Sequence, residues 1–203
     1  MLEEIDNVDW SSLHHAYGTA EDVPGLIRAL ISPSKSERDG ALYELFGNIW
    51  HQGTVYEATA FAVPFLIDLL NSPSTPDRSA VAMLIASIAG GHGYLEVHAR
   101  PGWGEPLWRK IFAKEGATLK SKIEREVAVT ASVRHEAKKA LPALIPFLSD
   151  TESEVRLTVA EALGAFPEFR DTHLPLLQDA LKREIDEYVR ESIEEFIIQL
   201  SAH

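Results

Sequence analysis

The stretch "LPALIPFLSDTESEVRLTVAEALGAF", Leu141 to Phe166, decides the fold. It opens with an aliphatic residue and a proline, then leucines and an isoleucine at helical spacing. Proline in the first turn of a helix loses no hydrogen bond, because that N–H has no partner there, and its fixed φ suits the helix. A breaker, "SDTESE", follows. Val155, Val159, Ala160, Leu163 and Phe166 then recur at i, i+4, i+5, i+8 and i+11, on one face of a second helix. Two helices this short cannot bury their apolar faces alone, so the unit must stack on others like it.

The chain supplies those others. "VPGLIRAL" begins at Val23, "VPFLIDLL" at Val63 and "LPLLQDAL" at Leu174, with prolines at 24, 64, 142 and 175. The intervals are 40, 78 and 33 residues, and 78 is twice 39, which predicts one degenerate repeat in the middle. Each phrase is expected to open a helix. A breaker follows, rich in serine, threonine and aspartate that can serve as N-caps, and then a second amphipathic helix such as "RDGALYELFGNIW" or "DRSAVAMLIASIA". No alternating β-branched run is bounded by Asn-Gly or Asp-Gly, so strands are not expected.

Leu141–Phe166 resembles a HEAT repeat residue by residue. Pro142 stands in the first helix, Asp150 in the turn, Val155 and Arg156 at the start of the second helix, then Ala162, Leu163 and Gly164. The last pair keeps Pro175, Val189 and Arg190 but carries Ile193 and Phe196 in place of small alanines, as a terminal cap would. The first two pairs share the layout and lack the Val-Arg pair. "GNIWHQGTVYEATAFAVPFLIDLL" is also similar to a stretch recurring in bacterial HEAT-repeat proteins. The resemblance spans roughly Val23 to Leu200. It implies an all-α, right-handed α-α superhelix of about four to five helix pairs. That is a single domain over 1–203, with repeats near 23–53, 61–92, 100–138 (degenerate), 139–166 and 171–203.

Composition narrows the chemistry. With 45% hydrophobic and 25% charged residues the chain is an ordinary globular one. It has no cysteine, which excludes disulfides, thiolate catalysis and cysteine-bound zinc. "MLEEIDNVDW" does not read as a signal peptide and no apolar run is long enough for a membrane span, so a cytoplasmic protein is expected. The net charge of −12 is uneven: −9 over residues 1–99, +5 over 100–148 and −8 over 149–203. Acidic ends suit a basic partner and disfavour nucleic acid. They also serve simply as a solvated surface.

Candidate functional residues fall in three groups. In "WHQGTVYEATA", His51, Gln52, Tyr56 and Glu57 follow the second helix of one pair, and His92, Tyr94 and His98 follow that of the next. Glycines beside His51 and His92 suggest left-handed helix ends, with the two histidines on one edge of the stack on the order of 10 Å apart. As chemistry, histidine with Glu57 could be an acid–base pair. As structure, the same residues cap helix ends, which is the favoured reading. Trp103, between glycines and near Arg100, Arg109 and Lys110, is either an interface anchor or a ring folded back on the helices. In "KSKIEREVAVTASVRHEAKK", Lys122 and Glu126 form an i,i+4 pair on a solvated face, and Arg134 and His135 are the residues that could reach a groove. No metal site, cofactor motif, nucleotide loop or nucleophile motif is recognisable.

Two functional readings result. The first is a non-catalytic module that binds another protein, in one version an adaptor or immunity protein facing a basic partner such as a nuclease toxin. The second is a HEAT-like DNA-acting enzyme of the alkylpurine glycosylase kind, using the basic central segment. Both rest on analogy of fold.

Overall fold

The computed structural model describes residues 2–202. Helices α1 (Val23–Ala29) and α2 (Lys35–Asn48) form the first pair, and α3 (Glu57–Asn71) and α4 (Arg78–Ala89) the second. An insertion follows, carrying α5 (Tyr94–His98) and α6 (Glu105–Lys114). The third pair begins with α7 (Leu119–Ala137). It runs through a 3-10 turn at Lys138–Ala140 into α8 (Leu141–Leu144), and α9 (Ser153–Gly164) returns along it. The last pair is α10 (Arg170–Arg183) and α11 (Glu187–Ser201).

The pairs stack in two layers. On one side α1 packs on α3, and α3 on α7 and α8; on the other α2 packs on α4, α4 on α9, and α9 on α11. Leu66, Leu69, Leu70, Leu84, Ile85 and Ile88 of the second pair are fully buried between its neighbours. Burying each such side chain stabilises the stack by roughly 1.5–3 kcal/mol. The result is one apolar core running from Ile5 to Leu200, the continuous core of an all-α solenoid.

Arginine ties each pair together. Near the start of every second helix an arginine donates to carbonyls at or just past the end of the helix before it. Arg38 reaches Ser32 and Pro33, Arg78 reaches Leu70, Arg156 reaches Asp150 and Thr151, and Arg190 reaches Leu181 and Glu184. These are carbonyls that a helix end leaves without an internal partner. The same arginines also reach the next pair. Arg38 binds Asp77 at 2.5 Å, Arg156 binds Glu184 at 2.6 Å, and Arg78 lies 5.7 Å over the Phe147 ring. The first two pairs therefore do carry the arginine, without the preceding valine that made it visible in the later two.

Four expectations are corrected. Pro64 and Pro175 lie inside α3 and α10 rather than opening them, because tertiary burial extends both helices upstream of the phrase. Strands do occur, as two hairpins of two-residue strands: β1 (His14–His15) with β2 (Gly18–Thr19), and β3 (Trp50–His51) with β4 (Thr54–Val55). In the second hairpin Gln52 (φ 51°) and Gly53 (φ 89°) both take the left-handed backbone that a type I′ turn requires. The glycine therefore serves a strand turn and not a helix end. The hairpin is extended by one more connection: His92 N–H donates to the Gly53 carbonyl at 2.9 Å and Val55 N–H to the His92 carbonyl at 3.1 Å. Finally, Lys122 pairs with Glu115 at 3.5 Å, while the Glu126 carboxylate accepts from the N–H groups of Leu95 and Glu96 and caps α5.

Candidate functional site: an acidic, aromatic groove

The second-helix layer leaves a groove of about 720 Å³ across three pairs. Each wall follows from helical periodicity. On α2 and the strand after it, Asp39, Tyr43, Phe46 and Trp50 stand at i, i+4, i+7 and i+11, the first two exposed and the last two half-buried against the core. On α9, Glu154, Thr158 and Glu161 repeat the same spacing. The floor is α4, with Met83, Ala86 and Ser87, and its end is Gly90, where the chain turns to His92. One wall is thus aromatic and the other acidic.

The aromatic wall is ordered by an edge-on contact between Phe46 and Trp50, with ring centres 5.7 Å apart. Tyr43 is 78% exposed at its rim. Asp39 is held by Lys35, both oxygens within 2.8 Å of the ammonium, at the rim of that wall. Among the described residues Glu154 and Glu161 have no basic partner within 4 Å, and no lysine or arginine lines the groove. A cation entering here meets carboxylates on one side and aromatic side chains on the other, a setting that suits ammonium and guanidinium groups.

Of the residues singled out in the sequence, His92 alone lines this groove. His51, Gln52, Tyr56 and Glu57 gather instead along the hairpin edge. There the Tyr17 hydroxyl and His51 Nδ1 lie 3.3 Å apart, and Glu57 pairs with Arg125 at 2.5 Å and faces His14 at 3.5 Å. Burial raises the Tyr56 phenol above its ordinary ionisation range, reinforced by Tyr17, Tyr94 and Glu126. Tyr94 and His98 stack on each other at 4.1 Å in the insertion, where His98 Nδ1 donates to the Tyr94 carbonyl. Trp103 stands out from the insertion, 74% exposed. Arg134 covers the Phe166 ring at 3.9 Å and donates to the Ala165 carbonyl and to Glu168, while His135 is exposed beside Glu136. Among the described residues no three His, Asp or Glu side chains gather as a metal site.

Sequence reasoning passed over Asp39, Tyr43, Phe46, Met83, Glu154 and Glu161. The signal was present as the second face of each amphipathic helix, at the same spacing as the buried one. It is readable only once the core face has been assigned and the helices are known to lie side by side.

The family model described as HEAT repeats matches residues 116–197, which run from just before α7 into α11. Over that stretch the chain is similar to HEAT repeats. The first two pairs lie outside the match but follow the same two-layer stacking and the same arginine bonds. No curated protein matches this chain. Among solved structures it is similar to the designed armadillo repeat protein YIII(Dq)4CqI, at 19% identity over 88% of this chain and 99% of that one, with a TM-score of 0.28. Repeat folds of this class typically act as protein-interaction scaffolds. No helix among the described residues is long and apolar enough to cross a membrane.

Proposed function

We propose that this chain is a non-catalytic binding module, of adaptor or immunity type, that holds a basic segment of a partner protein in the groove of α2, α4 and α9. The observation that carries this reading is the groove's lining: Glu154 and Glu161 opposite Tyr43, Phe46 and Trp50, with no base among them. Nucleic acid is a poor occupant, since a polyanion would meet carboxylates. The basic central segment does not reverse this. Six of its ten bases, Arg109, Lys120, Lys122, Arg125, Arg134 and Lys139, are each paired with an acid, and none of the ten lines the groove.

The test is calorimetric titration with lysine- and arginine-rich peptides against isosteric peptides in which the bases are glutamine. The basic set is expected to bind, more weakly as salt rises. Glu154→Lys with Glu161→Lys is expected to weaken that binding by about tenfold or more, at unchanged helical content. Equal binding of both peptide sets, or full binding by the charge-reversed variant, would defeat the reading.

A further inference from the structure

The insertion carries the counterpart of the groove. Trp103, Leu107, Lys110 and Lys114 stand at i, i+4, i+7 and i+11, along α6 and the turn before it. All four are exposed, Trp103 at 74% and Leu107 at 59%. Together they make a ridge with an aromatic and aliphatic end and a cationic end. Lys110, Lys114 and the nearby Arg100 make no ion pair among the described residues, in contrast to the paired bases of α7.

The ridge is backed by a small apolar cluster of its own. The opposite face of α6 buries Phe112 with Leu95, Ala99 and Leu119, in a cluster separate from the main core. Trp108 Nε1 donates to the His98 carbonyl at 3.0 Å, and Glu126 of α7 caps α5. No residue of α6 lines the groove of its own chain. A single molecule therefore exposes two surfaces of complementary chemistry that do not meet: rings and carboxylates in the groove, an apolar patch and ammonium groups on the ridge. Exposed rings of this kind anchor interfaces, and complementary charge sets their register.

We propose that the ridge Trp103–Lys114 of one copy of this chain docks in the acidic, aromatic groove of a second copy. The inference rests on the groove's reading as a site for a basic segment and names an occupant for it. Ridge-to-groove docking is heterologous: each copy uses one surface and leaves the other free, so association continues head to tail into rings or short filaments. A separate basic partner would then compete with self-association for the same groove.

Sedimentation of the full chain over a wide concentration range tests this. The wild type is expected to gain mass with concentration and to lose it as salt rises. A ridge variant, Trp103→Ala with Leu107→Ser, and a groove variant, Glu154→Lys with Glu161→Lys, should each remain single chains. An equal mixture of the two should form a complex of two chains and nothing larger, because only one intact ridge and one intact groove face each other. All four positions are exposed, so circular dichroism should show both variants folded. A wild type that stays single throughout, or a variant that associates as the wild type does, overturns the proposal. Basic peptides titrated into the ridge variant, whose groove is intact, separate the two ideas. Peptide binding without self-association removes only the docking proposal, and loss of both removes the groove's reading as well.

Discussion

Glu184 shows how much a single residue holds between pairs. Its carboxylate takes two bonds from the Arg156 guanidinium, at 2.6 and 2.7 Å, and two more from the N–H groups of Ile185 and Asp186, and its side chain is only 3% exposed. The guanidinium holds its pKa down, from 4.5 to about 2. A carboxyl depressed in the fold stabilises it fully above its unfolded pKa, and that stability drains away as pH falls from about 4.5 towards 2. His173 adds an earlier step. It is buried, its Nδ1 donates to the Leu163 carbonyl at 2.8 Å, and desolvation lowers its pKa from 6.5. The neutral ring is the folded form, so stability should begin to decline as pH drops below about 6.5. Melting temperature followed against pH should therefore fall in two stages. Glu184→Gln should cost roughly 3 kcal/mol at neutral pH, since it strands a buried guanidinium. It should also flatten the lower stage while leaving the upper one. A variant whose acid profile overlays the wild type would rule out Glu184 as its source.

At the scale of elements, legibility followed periodicity. Stacked helix pairs could be read because apolar positions recur with the helical period and prolines mark each unit. The turn "HQGT" could not, because a two-residue strand has no period to show, and glycine after a histidine suits a helix end as well as a hairpin. What decided for the hairpin is tertiary: His92 from the next pair bonds to Gly53 and Val55 on its open side. A β-carbon on Gly53 would lie 2.7 Å from His92 Nε2, on a backbone that already disfavours one. Gly53→Ala should therefore cost more than about 1 kcal/mol in chemical denaturation. Gln52→Asn, which tolerates the left-handed backbone better, should gain roughly 0.5–1 kcal/mol. Equal stability of wild type and Gly53→Ala would show that the turn bends freely. The arginine ladder was half legible for a related reason. Arg156 and Arg190 stood beside valines in a known pattern, whereas Arg38 and Arg78 are recognisable only by the carbonyls they reach.

At the scale of the molecule the described residues form two apolar cores, and they differ in depth. The stack's core runs through all four pairs, while the insertion closes over only Leu95, Ala99, Phe112 and Leu119. Opening free energy scales with the buried apolar contact that opening must break. Amide hydrogens of Tyr94–Lys114 should therefore exchange well before those of α3, α4 and α9, in a unit that opens without unfolding the stack. Phe112→Ala sharpens the point. It removes the insertion's largest buried side chain, a loss of about 3–5 kcal/mol where the surroundings cannot collapse. Almost all of that should fall on the insertion, leaving the main melting transition in place while exchange across α5 and α6 accelerates to near the unfolded rate. Because the ridge is displayed by this same unit, Phe112→Ala should also abolish self-association without touching a residue of either contact surface. If the main transition drops by the full amount, the insertion is instead part of the stack's cooperative unit, and its exposed tryptophan is carried by the fold as a whole.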